Sequence, residues 1–337
     1  MKFKEFGTTG MTVSEIGFGG SRIGGVFADK NSTKEALNVL RKALDSGITF
    51  YDTADMYSQG ESESLMGTAF RGCRDQVIIA TKGGYCLPAR RNMIKRIKPF
   101  VRPIVQVLGL KRARLPSGIS GALSQDFSPA YLTKALESSL KRLKTDYVDL
   151  YQLHSPGAQF MQGSAFIDAL QTLDKLKTQG KLRFYGIATE TPEDALFCLS
   201  APGISSVQLG FGLLDLQALD QGTLATAATR GIAVIARGCF GGGYLKQDID
   251  EAQLKTTTPK WKHILAIRSF SGEKGRAAMD IALQFCRCTP GVSVTILGMR
   301  IESHLRDNMR FLDSRPLSAE EHTALLHLQI IEDKLIS

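Results

Sequence analysis

No run of about 18 apolar residues occurs without a charge in this chain of 337, and the opening MKFKEFGTTG has no apolar leader stretch. Membrane-spanning helices and secretion are therefore not expected, and a cytoplasmic location is. Zinc-type spacing is missing too. The six cysteines are scattered, and Cys286 and Cys288 alone are close, as C-x-C with no second Cys or His pair to complete a tetrahedral site. That spacing is equally unlike a disulfide framework, so reduced thiols and no metal are expected. Two nucleotide fingerprints are absent. The glycines between Gly17 and Gly25 do not satisfy G-x-G-x-x-G, and no G-x-x-x-x-G-K-[ST] is found, which excludes a Rossmann fingerprint and a P-loop. Finally, acidic residues are missing from Leu87 to Gln125, where nine basic residues stand (Arg90, Arg91, Lys95, Arg96, Lys98, Arg102, Lys111, Arg112, Arg114). The net charge of +9, from 42 basic and 33 acidic side chains, resides in that segment. The remainder is neutral.

What is present is an alternation of short apolar runs with longer stretches of helical period, the pattern of repeated βα units around a parallel sheet. KFKEFGTTG and TVSEIGFGG read as an opening hairpin with its turn at Thr8 to Gly10, the second run also supplying a barrel strand near Ile16 to Phe18. Further strands are expected at ITFYDT, QVIIATK, YVDLYQLH, RFYGIA, SVQLG, IAVIAR and VTILG, with helices such as Thr33 to Ser46 and Pro129 to Leu143, the latter capped by Ser128. Eight strand–helix units favour a (β/α)8 TIM barrel with an N-terminal β-hairpin, forming one domain over 1–337. Two connections are long for βα loops: the basic insertion at about 87–125 and a segment from about Tyr244 to Gly272, both opening on the C-terminal face. Ser318 to Leu335 reads as a final helix, with Ser318 and Glu321 in capping-box spacing.

Asp52, Lys82 and His154 close the second, third and fourth barrel strands, and Tyr57 follows in the loop after Asp52. Each is bland alone: a capping aspartate, a solvated lysine, a structural histidine. Together, strand ends converge on one face of the barrel. A tyrosine, with a pKa near 10, is a poor acid at neutral pH unless a cation stabilises its phenolate. Lys82 supplies that charge, Asp52 holds the ammonium, and His154 orients a substrate oxygen. The set suits protonation of a carbonyl oxygen while hydride attacks its carbon.

GITFYDTADMYSQGESESLMG, VIIATKGG, SLKRLKTDYVDLYQLHSP and ILGMRIESHLRDNM occur in that order, and on these the chain resembles the aldo-keto reductase superfamily from about Phe3 to Leu312. The resemblance implies a TIM barrel, an extended nicotinamide cofactor, and a catalytic tetrad at Asp52, Tyr57, Lys82 and His154, with Tyr57 as general acid in reduction and base in oxidation. It also implies cofactor contacts at Gly20, Ser21, Asp52 and Gln208, the last on the nicotinamide carboxamide. The family's usual Ser-Asn pair after the fifth strand reads Ala188-Thr189 here, followed by Glu190, so Thr189 keeps one hydroxyl. Arg237 stands where many members place an aromatic ring, a position some branches also fill with arginine. Gly238 and Phe240, Gly241 and Gly242 match the loop over the pyrophosphate. Gly298, Met299, Arg300, His304 and Asn308 match the adenosine side, where Arg300 suits a 2′-phosphate and favours NADPH/NADP+ over NADH.

The basic insertion has an apolar stripe at Ile97, Val101, Ile104 and Leu108, interrupted by Pro99 and Pro103. Three readings stand: a lid over the barrel mouth, an anionic membrane surface, or an acidic carrier protein presenting the substrate. A single aromatic, Phe100, and no recognition motif argue against nucleic acid. A small-molecule carbonyl substrate and a monomer or weak oligomer are expected. The competing function is an NADPH-binding regulatory or interaction protein on the same barrel, since a fold does not guarantee turnover.

Overall fold

The computed structural model describes residues 1–24, 30–86, 124–246 and 248–336. The nine basic residues of the insertion lie outside the described residues, as does much of the Gly20 to Lys30 loop. The ten strands are β1 (Phe3–Glu5), β2 (Thr12–Ser14), β3 (Ile16–Gly19), β4 (Phe50–Asp52), β5 (Ile78–Gly83), β6 (Val148–His154), β7 (Leu182–Ala188), β8 (Ser206–Gly210), β9 (Ala233–Arg237) and β10 (Val292–Gly298). The first two form the antiparallel hairpin, and β3 to β10 close a parallel barrel in chain order, β10 pairing β3. The expected (β/α)8 barrel is therefore the one observed.

Helices of seven residues or more are α1 (Lys30–Asp45), α2 (Glu61–Ala69), α3 (Pro129–Leu143), α4 (Ser164–Thr178), α5 (Pro192–Cys198), α6 (Thr223–Thr229), α7 (Glu251–Thr257), α8 (Trp261–Glu273), α9 (Ala278–Cys288), α10 (Glu302–Leu312) and α11 (Ala319–Ile336). Their apolar stripes cover the outward strand faces: Val39, Leu40 and Ala43 of α1 and Leu132 and Leu136 of α3 lie in one buried core with Ile79, Tyr51 and Tyr151. Ser128 caps α3 as its sequence predicts, its Oγ accepting from Tyr131 N at 3.3 Å.

Inside the barrel a second core assembles by the period-2 alternation of the strands. Phe50, Ala80, Leu150, Ala233, Ile235 and Val294 point inward and meet Phe6, Met11 and Val13 of the hairpin. The hairpin thus stoppers the N-terminal end. Gly7 permits this close seating: it holds φ +57, and a Cβ there would lie 2.4 Å from the Gly231 carbonyl oxygen. Below the same end, Arg287 of α9 grips Glu15 with two bonds, at 2.9 and 3.0 Å.

The stretch from Tyr244 to Gly272, read as a long loop, is largely helical. Asp250 caps α7 through its Oδ1 and Gln253 N at 2.7 Å, and α8 buries His263, Ile264 and Ile267 while packing against α9 and α11. Arg268 ties the intervening turn by donating to the carbonyls of Tyr244, Lys246 and Ile249. No described helix is long and apolar enough to cross a membrane.

Candidate active site

Because inward and outward residues alternate, Asp52, Lys82 and His154 all project into the barrel at its C-terminal end, one layer above the apolar filling. The loop after β4 is pinned to β5 by Thr53 N to Ala80 O at 2.8 Å and Asp55 N to Lys82 O at 3.1 Å. Ser58 (φ 48), Gln59 (φ 60) and Gly60 (φ 82) then turn the chain sharply into α2. This turn holds Tyr57 over the strand ends.

The structure brings the four residues together. Lys82 Nζ lies 2.5 Å from Asp52 Oδ1, 2.9 Å from Thr53 O and 3.5 Å from Tyr57 OH, and 5.0 Å from the centre of the Tyr57 ring. His154 meets the Tyr57 ring edge-on at 5.8 Å and the Tyr85 ring at 4.9 Å. Burial depresses the Lys82 pKa, but Asp52 and then Tyr57 more than offset it, so the net shift is upward and the ammonium persists. Burial raises Tyr57 above its ordinary value, with Lys82 pulling it back and Asp52 pushing it up. The phenol is thus protonated at neutral pH. His154 falls to about 3, first through burial and then through the Lys82 and Arg237 charges, which makes it a neutral imidazole. Its buried Nδ1 has no partner among the described residues.

Gln208 reaches this cluster from below. Its Nε2 donates to Asp52 Oδ1 at 3.2 Å, and its Oε1 accepts from Gln152 Nε2 at 3.2 Å, giving a buried relay from Gln152 to Tyr57. Thr189 is buried, with its hydroxyl donating to the Gln208 carbonyl at 3.4 Å. Arg237 Nη2 donates to Thr189 O at 2.9 Å and Glu190 Oε2 at 3.0 Å, and Ser155 Oγ donates to Glu190 Oε1 at 2.6 Å.

The remaining predicted positions divide by exposure. Gly20 is packed against α2, where a Cβ would lie 2.7 Å from Ser62 Oγ, whereas Ser21 is exposed. Gly238 (φ 85), Gly242 (φ 68) and Gly243 (φ 101) have open space where a Cβ would stand, a backbone that a ligand can approach. Phe240 packs partly on the core, and a Cβ on Gly241 would meet Leu214. Gly298 and Arg300 are exposed, but the Met299 side chain is in the core, so its backbone alone can face a ligand. His304 is lowered by burial and then by the charges of Lys246, Arg300 and Arg22, with Asp307 opposing. Asn308 is buried, with Nδ2 unpartnered among the described residues.

Sequence reasoning missed Gln152, Ser155, Tyr85, Arg22 and Lys246. Gln152 had a signal, standing two residues before His154 and therefore on the same strand face. The others depend on loop paths that no periodicity reports. Among the described residues no group of three or more His, Cys, Asp or Glu side chains is placed for a metal ion.

Comparison with known proteins identifies relatives of the chain along nearly its whole length. The "Uncharacterized oxidoreductase YqkF" of Bacillus subtilis (strain 168) is 29% identical over 336 residues, covering 96% of this chain and 95% of that protein. The "Probable voltage-gated potassium channel subunit beta" of Oryza sativa subsp. japonica is 25% identical, covering 95% and 94%. Among solved structures, the holo form of aldo-keto reductase AKR11C1 from Bacillus halodurans superposes with a TM-score of 0.77 at 26% identity, covering 97% and 96%. With the family model for the Aldo/keto reductase family matching residues 15–329, the chain belongs to that family, whose members are NAD(P)H-dependent oxidoreductases acting on carbonyl and alcohol groups.

Proposed function

We propose that this chain is an NADPH-dependent reductase that interconverts a small aldehyde or ketone and its alcohol, with Tyr57 as the proton donor. The observation that carries the reading is the Lys82 ammonium, fixed at 2.5 Å from Asp52 and 3.5 Å from the Tyr57 hydroxyl. The site fits a dinucleotide. Open glycines at Gly238, Gly242 and Gly243 would admit a pyrophosphate, Asn308 Nδ2, unpartnered among the described residues, would meet an acceptor on the adenosine side, and the charges of Lys246, Arg300 and Arg22 that act at His304 suit an added phosphate. That trio supports NADPH/NADP+ over NADH.

The bound cofactor supplies a hydride to the carbonyl carbon. His154, neutral, donates an N–H to the carbonyl oxygen and orients it. Tyr57 transfers its hydroxyl proton to that oxygen as the C=O bond becomes C–OH, and Lys82 stabilises the phenolate left behind. Asp52, held by Gln208, keeps the ammonium in place. In oxidation the phenolate takes the proton back.

The similarity to a potassium channel β subunit favours a second reading, an NADPH-binding regulatory or interaction protein with little turnover. NADPH consumption over a panel of aldehydes, ketones and sugars, by wild type and Tyr57→Phe, separates the two. Turnover that falls by about 10²-fold or more in Tyr57→Phe, with NADPH binding retained, supports the reductase. Cofactor binding with no Tyr57-dependent turnover supports the regulatory protein.

A further inference from the structure

Glu190 directly follows the altered Ala188-Thr189 pair and is held at both oxygens, by Ser155 at the end of β6 and by Arg237 at the end of β9. Arg237 is anchored a second time, on the Thr189 carbonyl at 2.9 Å. The arc of the rim from β6 to β9 therefore carries a guanidinium held by two acceptors and paired with a carboxylate, the two side chains 38% and 65% exposed, so that the pairing offsets part of its charge. Arg237 is near enough to the catalytic cluster for its charge to act on both Tyr57 and His154.

We propose that Glu190 sets the balance between oxidised and reduced cofactor, by pinning Arg237 and offsetting part of its charge beside the nicotinamide ring. The inference rests on the cofactor reading above. Hydride transfer requires the ring to lie in contact with a carbonyl carbon whose oxygen meets Tyr57 and His154. Tyr57 and His154 would face the substrate, and the family resemblance implies that the ring lies by Thr189, Gln208 and Arg237. The oxidised ring is a cation and the reduced ring is neutral. An unmatched guanidinium there repels the oxidised form and leaves the reduced form nearly unaffected, and the Glu190 carboxylate reduces that repulsion. Glu190 thereby holds NADP+ as well as NADPH, a specificity role for redox state rather than for the phosphate.

Calorimetric titration of the full-length protein with NADP+ and with NADPH tests this in wild type, Glu190→Gln, Glu190→Asp and Glu190→Gln/Arg237→Gln. The expected result is NADP+ binding weakened about three- to tenfold in Glu190→Gln with NADPH within about twofold, an effect that shrinks at high salt. Glu190→Asp and the double variant should return the ratio toward wild type. Equal weakening of both forms, or an unchanged ratio, overturns the inference while leaving the cofactor reading intact. Wild type that binds neither form overturns the cofactor reading, and this inference with it.

Discussion

His154 and Asp55 make opposite demands on pH. Burial, then the Lys82 and Arg237 charges, take His154 from 6.5 to about 3, so the stability it contributes is present above its ordinary value and is lost as pH falls toward about 3. Burial, then Glu63, raise Asp55 from 3.8 to about 7, against Arg142, the Met56 N–H and Lys82. Its contribution is present below its ordinary value and is lost as pH rises through about 7. Between pH about 4 and 6.5 the two slopes, each ~1.4 kcal/mol per pH unit at full effect, run against each other. Asp55→Asn should leave the His154 slope uncompensated, and urea unfolding should show the variant losing stability on acidification through this range more steeply than wild type. Identical pH dependence would contradict the assignment. The clustering of Asp52, Lys82 and His154 was legible in the sequence because all three end neighbouring parallel strands, and such ends converge on one face of a barrel. The left-handed Ser58 and Gln59 that seat Tyr57 were not legible, since a non-glycine residue at positive φ leaves no compositional trace. The hydrogen bond from Gln208 to Asp52 spans 156 residues and likewise has no local signal.

At the level of elements, the final helix shows how much a local rule can carry. Ser318 Oγ accepts from Glu321 N at 3.2 Å, and Glu321 Oε2 accepts from Ser318 N at 2.9 Å, the reciprocal box that the S-x-x-E spacing predicts. Glu321 also pairs with Arg315, whose guanidinium holds its carboxyl down to about 2. Ser318→Ala should cost about 1 kcal/mol, read as a lower denaturation midpoint with the urea slope unchanged. A matching loss of catalytic activity at low temperature would show that the helix does more than stabilise. By contrast α7 and α8 fall in the segment whose sequence suggests a long loop, although Asp250 supplies a cap and Pro259 a break between them. The apolar surface of α8 serves α9 and α11, and α7 packs on α8, so the strand–helix alternation gives no reason to look for either.

The barrel as a whole is fastened at its lower end by a contact between residues 272 apart in sequence, Glu15 and Arg287, whose side chains are 3% and 7% exposed. Removing one charge strands the other, so Glu15→Gln should destabilise the protein by about 3–5 kcal/mol in chemical denaturation. Restoration by a matched apolar pair at the two positions would confirm that the loss is the stranded charge. The hairpin packed just inside, with Phe6, Met11 and Val13 filling the floor, has a further consequence. A barrel stoppered below and filled with side chains offers its ligands the C-terminal face, where Tyr57 and the Gly238 turn both stand. On the proposed cofactor reading, a dinucleotide lying along the rim from Gly238 to Asn308 would form the surface on which a carbonyl compound settles against Tyr57, so it should bind first and leave last. Product-inhibition kinetics should accordingly show the alcohol as a noncompetitive inhibitor against both NADPH and the carbonyl compound. Inhibition by the alcohol that is competitive with the carbonyl compound would show random binding and contradict that order.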